Sequence, residues 1–341
     1  MRKIISAIFI ISLCLSLFAC DAPRVTENAE NSRVYFDYFD TWGTLYDYSG
    51  MDYGEFSAVA DEVEKILKDY HELSDIYNTY EGKNNLATLN LMAGKGPVEL
   101  DSRLIDMLEY SKEIHEITNG ETNVAFGAVL KIWHEHRTEG SKKPQLASLP
   151  DIELLREASE HADIDKMIIN RETGTVELLD AKMSIDVGAV AKGYTVEVIA
   201  KYLESRGFTS MVIDMGGNLR AVGSRPDGSP FAAGVKSPFE EGKYAASFEI
   251  SSEALVTSGS YLRFYTVDGV SYHHIIDKET LFPKNDYASV SVKAPSSALA
   301  DALSTALFNM EIWEAEALIS TLEGVSVVFV KSNGEIVNVN R

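Results

Sequence analysis

Cysteine is nearly missing from the 341 residues: only Cys14 and Cys20 occur, too few for a disulfide framework. Positive charge is also short. Lys and Arg number 31 against 52 Asp and Glu, a net charge of −21, which excludes a nucleic-acid backbone as the expected partner because phosphates select basic faces. An anionic ligand would need a local device here: a helix N-terminus, a lysine or a bridging divalent cation. Several familiar signatures are absent too. Lys192-Gly193 reverses the order of a P-loop, with no Ser or Thr directly after it. Gly216-Gly217 lacks the spacing of a dinucleotide fingerprint, no Cys/His zinc pattern exists, and the "TSG" at 257–259 is no nucleophile elbow.

What is present begins with a leader. Arg2 and Lys3 precede an apolar run, Ile4 to Phe18, that is short for a membrane span. The run ends in Leu17-Phe18-Ala19-Cys20, and the polar stretch "DAPRVTENAENSR" follows. Small residues before a cysteine at that place resemble the lipobox of bacterial lipoproteins. The resemblance implies cleavage after residue 19, lipid on the thiol of Cys20, a tether over 20–34 and an extracytoplasmic, membrane-anchored domain over 35–341. The folded part would then carry no disulfide.

Along the rest of the chain, "VYFDYFDTWGTLYDY" from Val34 reads as a strand or hairpin. Phe56, Val59, Val63, Ile66, Leu67, Tyr70 and Leu73 recur at helical spacing, predicting a helix over 55–75. Asp101 and Asp151 are N-cap residues for two further helices, the first stopped by Gly120. Hairpins are expected at Thr173-Gly174, Gly216-Gly217, Asp268-Gly269 and Asn333-Gly334. Helices are expected from Thr195 to Arg206 and across "SSALADALSTALFNM". Strands and helices mix without βαβ alternation, so the fold class is α+β, mixed sheets with flanking helices. No repeat, low-complexity tract or domain linker interrupts it.

Two stretches carry chemistry. In "MSIDVGAVAKGYTVEVIA", Asp186 is expected to close a strand, and Gly188, Lys192 and Gly193 cluster before a helix. Glycines at a helix start suggest close backbone approach, and a lysine there adds a cation where anions are already favoured. A phosphate site and a plain strand-to-helix turn both fit. In the second stretch Asp301 and Thr305 sit one helical turn apart, so both oxygens face one way. Such hard ligands suit Mg²⁺, though a first-turn acid with a back-bonded threonine fits as well.

Taken in order, "FDTWGT", "YNTYEGKNNLATLN", "TNGETNVAFGAVLKIW", "IDVGAVAKGY", "IDMGGN", "VTSGSYLRF", "HHIID" and "ADALSTALF" resemble the ApbE-type flavin transferases, the FAD:protein FMN transferases. The resemblance spans roughly residues 35–310. It implies one compact catalytic domain with a ligand cleft between two lobes, where Mg²⁺ and FAD meet and FMN passes to a Thr or Ser of an acceptor protein, releasing AMP. By motif it implies Asp301, Thr305 and the Ala189 carbonyl as metal ligands. Trp42, Tyr80, Glu121, Thr122, Asn123, Asp186, Lys192 and Ile276 would contact FAD, and Asp301 and His274 would be catalytic. His273 and His274 alternate along a strand, so at most one faces a cleft.

The sequence departs from the family pattern in three places. Trp42 stands where a methionine is usual, "GETNVA" replaces "GxFDxT", and "HIIDKETLFP" has Lys278 for proline and Leu281 for glycine. Two other readings use the same residues: a FAD pyrophosphatase yielding FMN and AMP, and a flavin-binding lipoprotein without turnover.

Overall fold

A computed structural model describes residues 29–340; the leader, Cys20 and the tether up to residue 28 lie outside the described residues. The fold begins earlier than the tether boundary expected from sequence. β1 (Asn31–Tyr38) starts at Asn31 because its first residues already pair with β2 (Thr41–Asp47), Asn31 opposite Asp47 and Val34 opposite Thr44. The hairpin turns at Phe39-Asp40, both with positive φ, and Gly43 lies inside β2.

Helix α1 (Tyr53–Ser74) is capped by Asp52, whose carboxylate accepts from Gly54 N at 2.8 Å. Its face at Phe56, Val59, Val63 and Leu67 is the apolar stripe read from sequence. Next come α2 (Leu86–Leu91), β3 (Val98–Glu99), α3 (Ser102–Ile117), α4 (Gly127–Lys142), α5 (Ile152–Ser159), β4 (Met167–Asn170) and β5 (Thr175–Leu178). Asp101 and Asp151 cap α3 and α5 as expected. The chain then forms α6 (Ala191–Ser205), β6 (Ser210–Met215), β7 (Asn218–Gly223), β8 (Phe231–Lys236), β9 (Tyr244–Ile250) and β10 (Ala254–Gly259). It closes with β11 (Phe264–Val267), β12 (Val270–His273), β13 (Tyr287–Ala294), α7 (Ser297–Asn309), α8 (Ile312–Ile319), β14 (Ser326–Lys331) and β15 (Ile336–Asn340).

An eight-stranded antiparallel sheet in the order β1-β2-β6-β7-β10-β13-β14-β15 is the frame. Its period of two sorts the core into faces. Met211, Ile213 and Met215 turn toward α1 and α6, while Val212 between them packs with Phe231, Ala233 and Val235 of the β8–β9 ribbon. Further along the sheet α7 and α8 pack on Val256, Val290, Val292 and Phe329. A second group joins α2, α3 and the β3-β5-β4 sheet to Met183, Ile185 and Val187, and reaches Ala302 of α7. A third gathers Trp133 of α4 with Tyr265, Ile276 and Leu281, the Trp133 indole donating to Leu281 O at 2.9 Å. The α+β architecture therefore stands, with α6 and α7 where the packed groups meet.

The stretch ahead of Gly188 forms no strand. Asn90 of α2 takes a partner's place instead: Ile185 N donates to Asn90 Oδ1 at 2.7 Å and Asn90 Nδ2 to Ile185 O at 2.9 Å. α6 also starts at Ala191, ahead of the expected Thr195, so Lys192 and Gly193 lie within its first turn.

Candidate active site

Val190 gives α6 no side-chain cap, so the first-turn N–H groups need partners from elsewhere. α7 supplies one. Asp301 Oδ2 accepts from Gly193 N at 2.7 Å, and Oδ1 lies 3.1 Å from Lys192 Nζ. The aspartate is only 6% exposed, a depth at which a carboxylate requires partners. Space explains Gly193: a Cβ there would stand 2.3 Å from Asp301 Cβ and 2.6 Å from Ser297 O. The glycine admits a neighbouring helix, which corrects the expectation that it opens the backbone to a ligand. Gly188 differs: it is the exposed first residue of the turn at 188–190, followed by half-buried Ala189, and its N–H donates to Asp186 Oδ1 at 2.8 Å.

Thr305 lies one turn beyond Asp301, its Oγ1 3.5 Å from Asp301 O, while Ser304 Oγ donates to the same carbonyl at 2.9 Å. Among the described residues no group of three or more His, Cys, Asp or Glu could hold a metal. A cation here would rest on the free lone pairs of one carboxylate, a hydroxyl and backbone carbonyl oxygen. Mg²⁺ fits such a sparse, all-oxygen donor set because it keeps waters and completes its shell with phosphate oxygens.

Asp186 is anchored through its backbone, which donates to Val124 O at 2.8 Å. Desolvation pushes its carboxyl up, against the Gly188 N–H bond and the positive field of His134, Arg137 and Arg263. His134 Nδ1 lies 3.3 Å from Tyr77 Oη and 3.1 Å from Arg137 Nη2. Arg137 is itself pushed down, by burial and then by Arg263. His274 belongs to the same group. Burial, then Arg263 and Arg137, push it down to about 3, so its imidazole is neutral at physiological pH and a weak base. Its Nδ1 is buried with no hydrogen-bond partner, an acceptor or donor left over for a ligand. His273 instead bonds Lys284 O at 2.7 Å and is buried, so His274 is the one of the pair with a free ring nitrogen.

The other expected flavin contacts divide. Trp42, near the start of β2, is 42% exposed. The Tyr80 hydroxyl donates to Asp75 Oδ2 at 2.8 Å, Thr122 Oγ1 to Ala302 O at 3.0 Å and Asn123 Nδ2 to Ala162 O at 2.9 Å. These three polar tips are engaged within the protein and hold loops in place. Ile276 is buried, and its carbonyl accepts from Asn309 Nδ2 at 3.3 Å. Glu121 pairs with Lys278 at 2.9 Å, so the two segments that carry departures from the family pattern meet in space.

The model of the ApbE family matches residues 42–329. The chain belongs to the ApbE family. It is 34% identical over 298 residues to the FAD:protein FMN transferase of Treponema pallidum, covering 83% of this chain and 80% of that protein. The Haemophilus influenzae FAD:protein FMN transferase is 28% identical over 318 residues, 90% of this chain and 87% of its own. Among solved structures, the ApbE protein of Thermotoga maritima superposes with a TM-score of 0.78 at 23% identity, covering 90% of this chain and 96% of its own. The flavin transferase ApbE of Vibrio cholerae gives 0.72 at 22% identity, covering 90% and 97%. These two show the fold.

ApbE-type sequence motifs left several residues of the site unnamed. Asp214, at the end of β6, is 6% exposed; burial pushes its carboxyl up to about 6, against a 3.4 Å bond from Gly217 N and the pull of Lys192 and Lys236. Its place in "IDMGGN" was the only signal available. Arg137 and Arg263 line a groove of about 400 Å³ with Thr138, Leu262 and Phe264. Arg263 stands inside "VTSGSYLRF" without a role assigned from sequence and Arg137 stands outside every motif; the fold brings both to Asp186 and His274.

Proposed function

We propose that the chain transfers FMN from FAD to a threonine or serine hydroxyl of an acceptor protein, releasing AMP. One observation carries the reading beyond family membership. The "AKGY" and "ADALSTALF" motifs, 109 residues apart, interlock through Lys192, Gly193 and Asp301 in one largely buried contact. In the proposed reaction the hydroxyl oxygen bonds to the FMN-side phosphorus, the bond from that phosphorus to the AMP phosphate oxygen breaks, and the hydroxyl proton is released. Asp301, Thr305 and the Ala189 carbonyl would hold Mg²⁺, which supplies charge neutralisation on the phosphoryl oxygens. Lys192, at the first turn of α6, binds and orients the pyrophosphate. Asp301 is the nearest base to that lysine and takes the hydroxyl proton. His274, neutral, offers Nδ1 to the flavin dinucleotide as a positioning contact. Trp42 offers an exposed ring face on which a flavin can lie.

The apolar N-terminal run ending at Cys20 supports an extracytoplasmic lipoprotein, with exported or membrane redox proteins as acceptors. Replacing Cys20 with serine would then move the protein from the membrane to the soluble fraction. The reaction is tested by incubating the full chain in detergent with FAD, with and without Mg²⁺, and a threonine-bearing acceptor. Intact mass of the acceptor and release of AMP are followed. Metal-dependent gain of one FMN-phosphoryl unit, with little free FMN, supports the transferase. AMP and free FMN without label would make it a hydrolase, and unchanged bound FAD a carrier.

A further inference from the structure

The contact between α6 and α7 is reciprocal. Asp301 of α7 accepts from Gly193 N in the first turn of α6 at 2.7 Å, and Glu197 of α6 accepts from Ser297 N at the first residue of α7 at 2.8 Å. Each carboxylate sits one turn beyond its own helix's donor, so Gly193 and Glu197 mirror Ser297 and Asp301. Each helix therefore caps the other, and each carboxylate meets a positive helix end. The two halves differ in their cations. Asp301 pairs with Lys192, whose side chain is 22% exposed. Glu197 pairs at 3.1 Å with Arg220 of β7, whose side chain is 4% exposed and whose other nitrogen reaches Glu204 at 3.2 Å. Ser297 Oγ adds a bond to Asn218 Oδ1 at 2.6 Å, fixing the same helix start to the same strand.

We infer that Glu197 is a positioning residue for the transfer reaction: held by Arg220, it fixes the start of α7 so that Asp301 is aimed at Gly193 N and Lys192. Asp301 sits one turn from Ser297, so a shift of the helix start carries its carboxylate with it. No separate side chain anchors that carboxylate apart from Lys192, which the proposed reaction uses. A misplacement of about 1 Å at reacting groups lowers rates by about a hundredfold. This inference rests on the reading of Asp301 and Lys192 as the reacting site.

Proline supplies a selective probe. Ser297 is the first residue of α7, where proline is favoured, and Ser296 before it has φ −123° and ψ 136°, the extended backbone that precedes proline comfortably. Ser297→Pro in the full chain deletes the N–H that Glu197 accepts from, together with the hydroxyl, whereas Ser297→Ala deletes the hydroxyl alone. Transfer rate at saturating FAD, melting temperature and hydrogen exchange of the Gly193 amide in ¹⁵N-glycine-labelled protein are compared. The expected result is Ser297→Ala within about threefold of the parent rate, and Ser297→Pro, its melting temperature lowered by the lost bond but the protein still folded at the assay temperature, at least about tenfold below Ser297→Ala with Gly193 exchange quickened by a similar factor. Equal rate and exchange in the two variants would overturn the inference.

Should Ser297→Pro not fold, Glu197→Met combined with Arg220→Met removes both buried charges, an exchange that proteins often tolerate in stability. Slow transfer and fast Gly193 exchange in that folded double variant support the positioning role; parental values of both overturn it. Asp301→Asn is run alongside. If it transfers at the parental rate, the reading of the reacting site fails, while the Gly193 exchange still reports whether Glu197 sets the helix contact.

Discussion

Lys192 Nζ lies 3.1 Å from Asp301 Oδ1, joining the first turn of α6 to the middle of α7. In the proposed reaction this ammonium would be the local counterweight that a pyrophosphate needs in a chain of net charge −21. Lys192→Ala is expected to leave the fold intact, weaken FAD binding and lower turnover by about a hundredfold or more, the scale seen when one donor to a developing anion is lost. Flavin fluorescence titration and single-turnover transfer measure the two effects separately. Unchanged affinity and turnover would remove the lysine from the site.

Gly193→Ala tests the close approach of the two helices. Alanine in a helix is usually better than glycine by about 1 kcal/mol, so propensity alone predicts a gain. The added carbon would sit 2.3 Å from Asp301 Cβ, and overpacking of that kind costs about 1–3 kcal/mol. A net loss of stability in urea unfolding is therefore expected, with transfer reduced because Asp301 is displaced. A stabilised, active variant would show that α7 moves aside freely.

Asp214 and His274 pull the pH dependence of stability in opposite directions. The folded state raises Asp214 to about 6, so its contribution is full below the ordinary carboxylate pKa and is lost as pH climbs through about 6. Asp214→Asn should remove that loss and gain up to roughly 3 kcal/mol over the parent above pH 6, with the difference vanishing near pH 4. Unfolding free energies measured across that range check it.

His274 is lowered to about 3, so its contribution is present above the ordinary imidazole value and is lost as pH falls toward 3. Imidazole resonances should show no titration of His274 between pH 5 and 8. Arg263→Ala, by removing one of the two nearby guanidinium charges, should raise its pKa measurably. A wild-type midpoint near 6.5 would refute the buried, neutral state.

Much of the fold was legible because its signals are local. The caps at Asp101 and Asp151, the α1 stripe and the turns at Asp268-Gly269 and Asn333-Gly334 each involve neighbours in sequence, and each forms where the pattern placed it. Three features depended on distant partners and were misread or missed. The segment ahead of Gly188 is extended but pairs with the Asn90 side chain, which no alternation pattern reveals. α6 begins at Ala191 because Asp301 satisfies its start from another helix. α4 carries Gly127 and Gly140, which mask its periodicity, although both glycines are needed for close contacts with Ser184 O and Tyr265. The site followed the same rule: Lys192 and Asp301 stood out in their motifs, whereas Glu197, Asp214, Arg137 and Arg263 acquire meaning only from what the fold sets beside them.

The grip on Asp301 has an uneven relation to heredity. One of its two bonds comes from a backbone N–H, which a codon change at residue 193 cannot delete unless it introduces proline, and a proline ring carbon would collide with Asp301 itself. Drift can erase Lys192 in a single step, whereas the amide donor itself survives every change but proline, and its bond to Asp301 lasts as long as residue 193 stays small enough to let the helices touch.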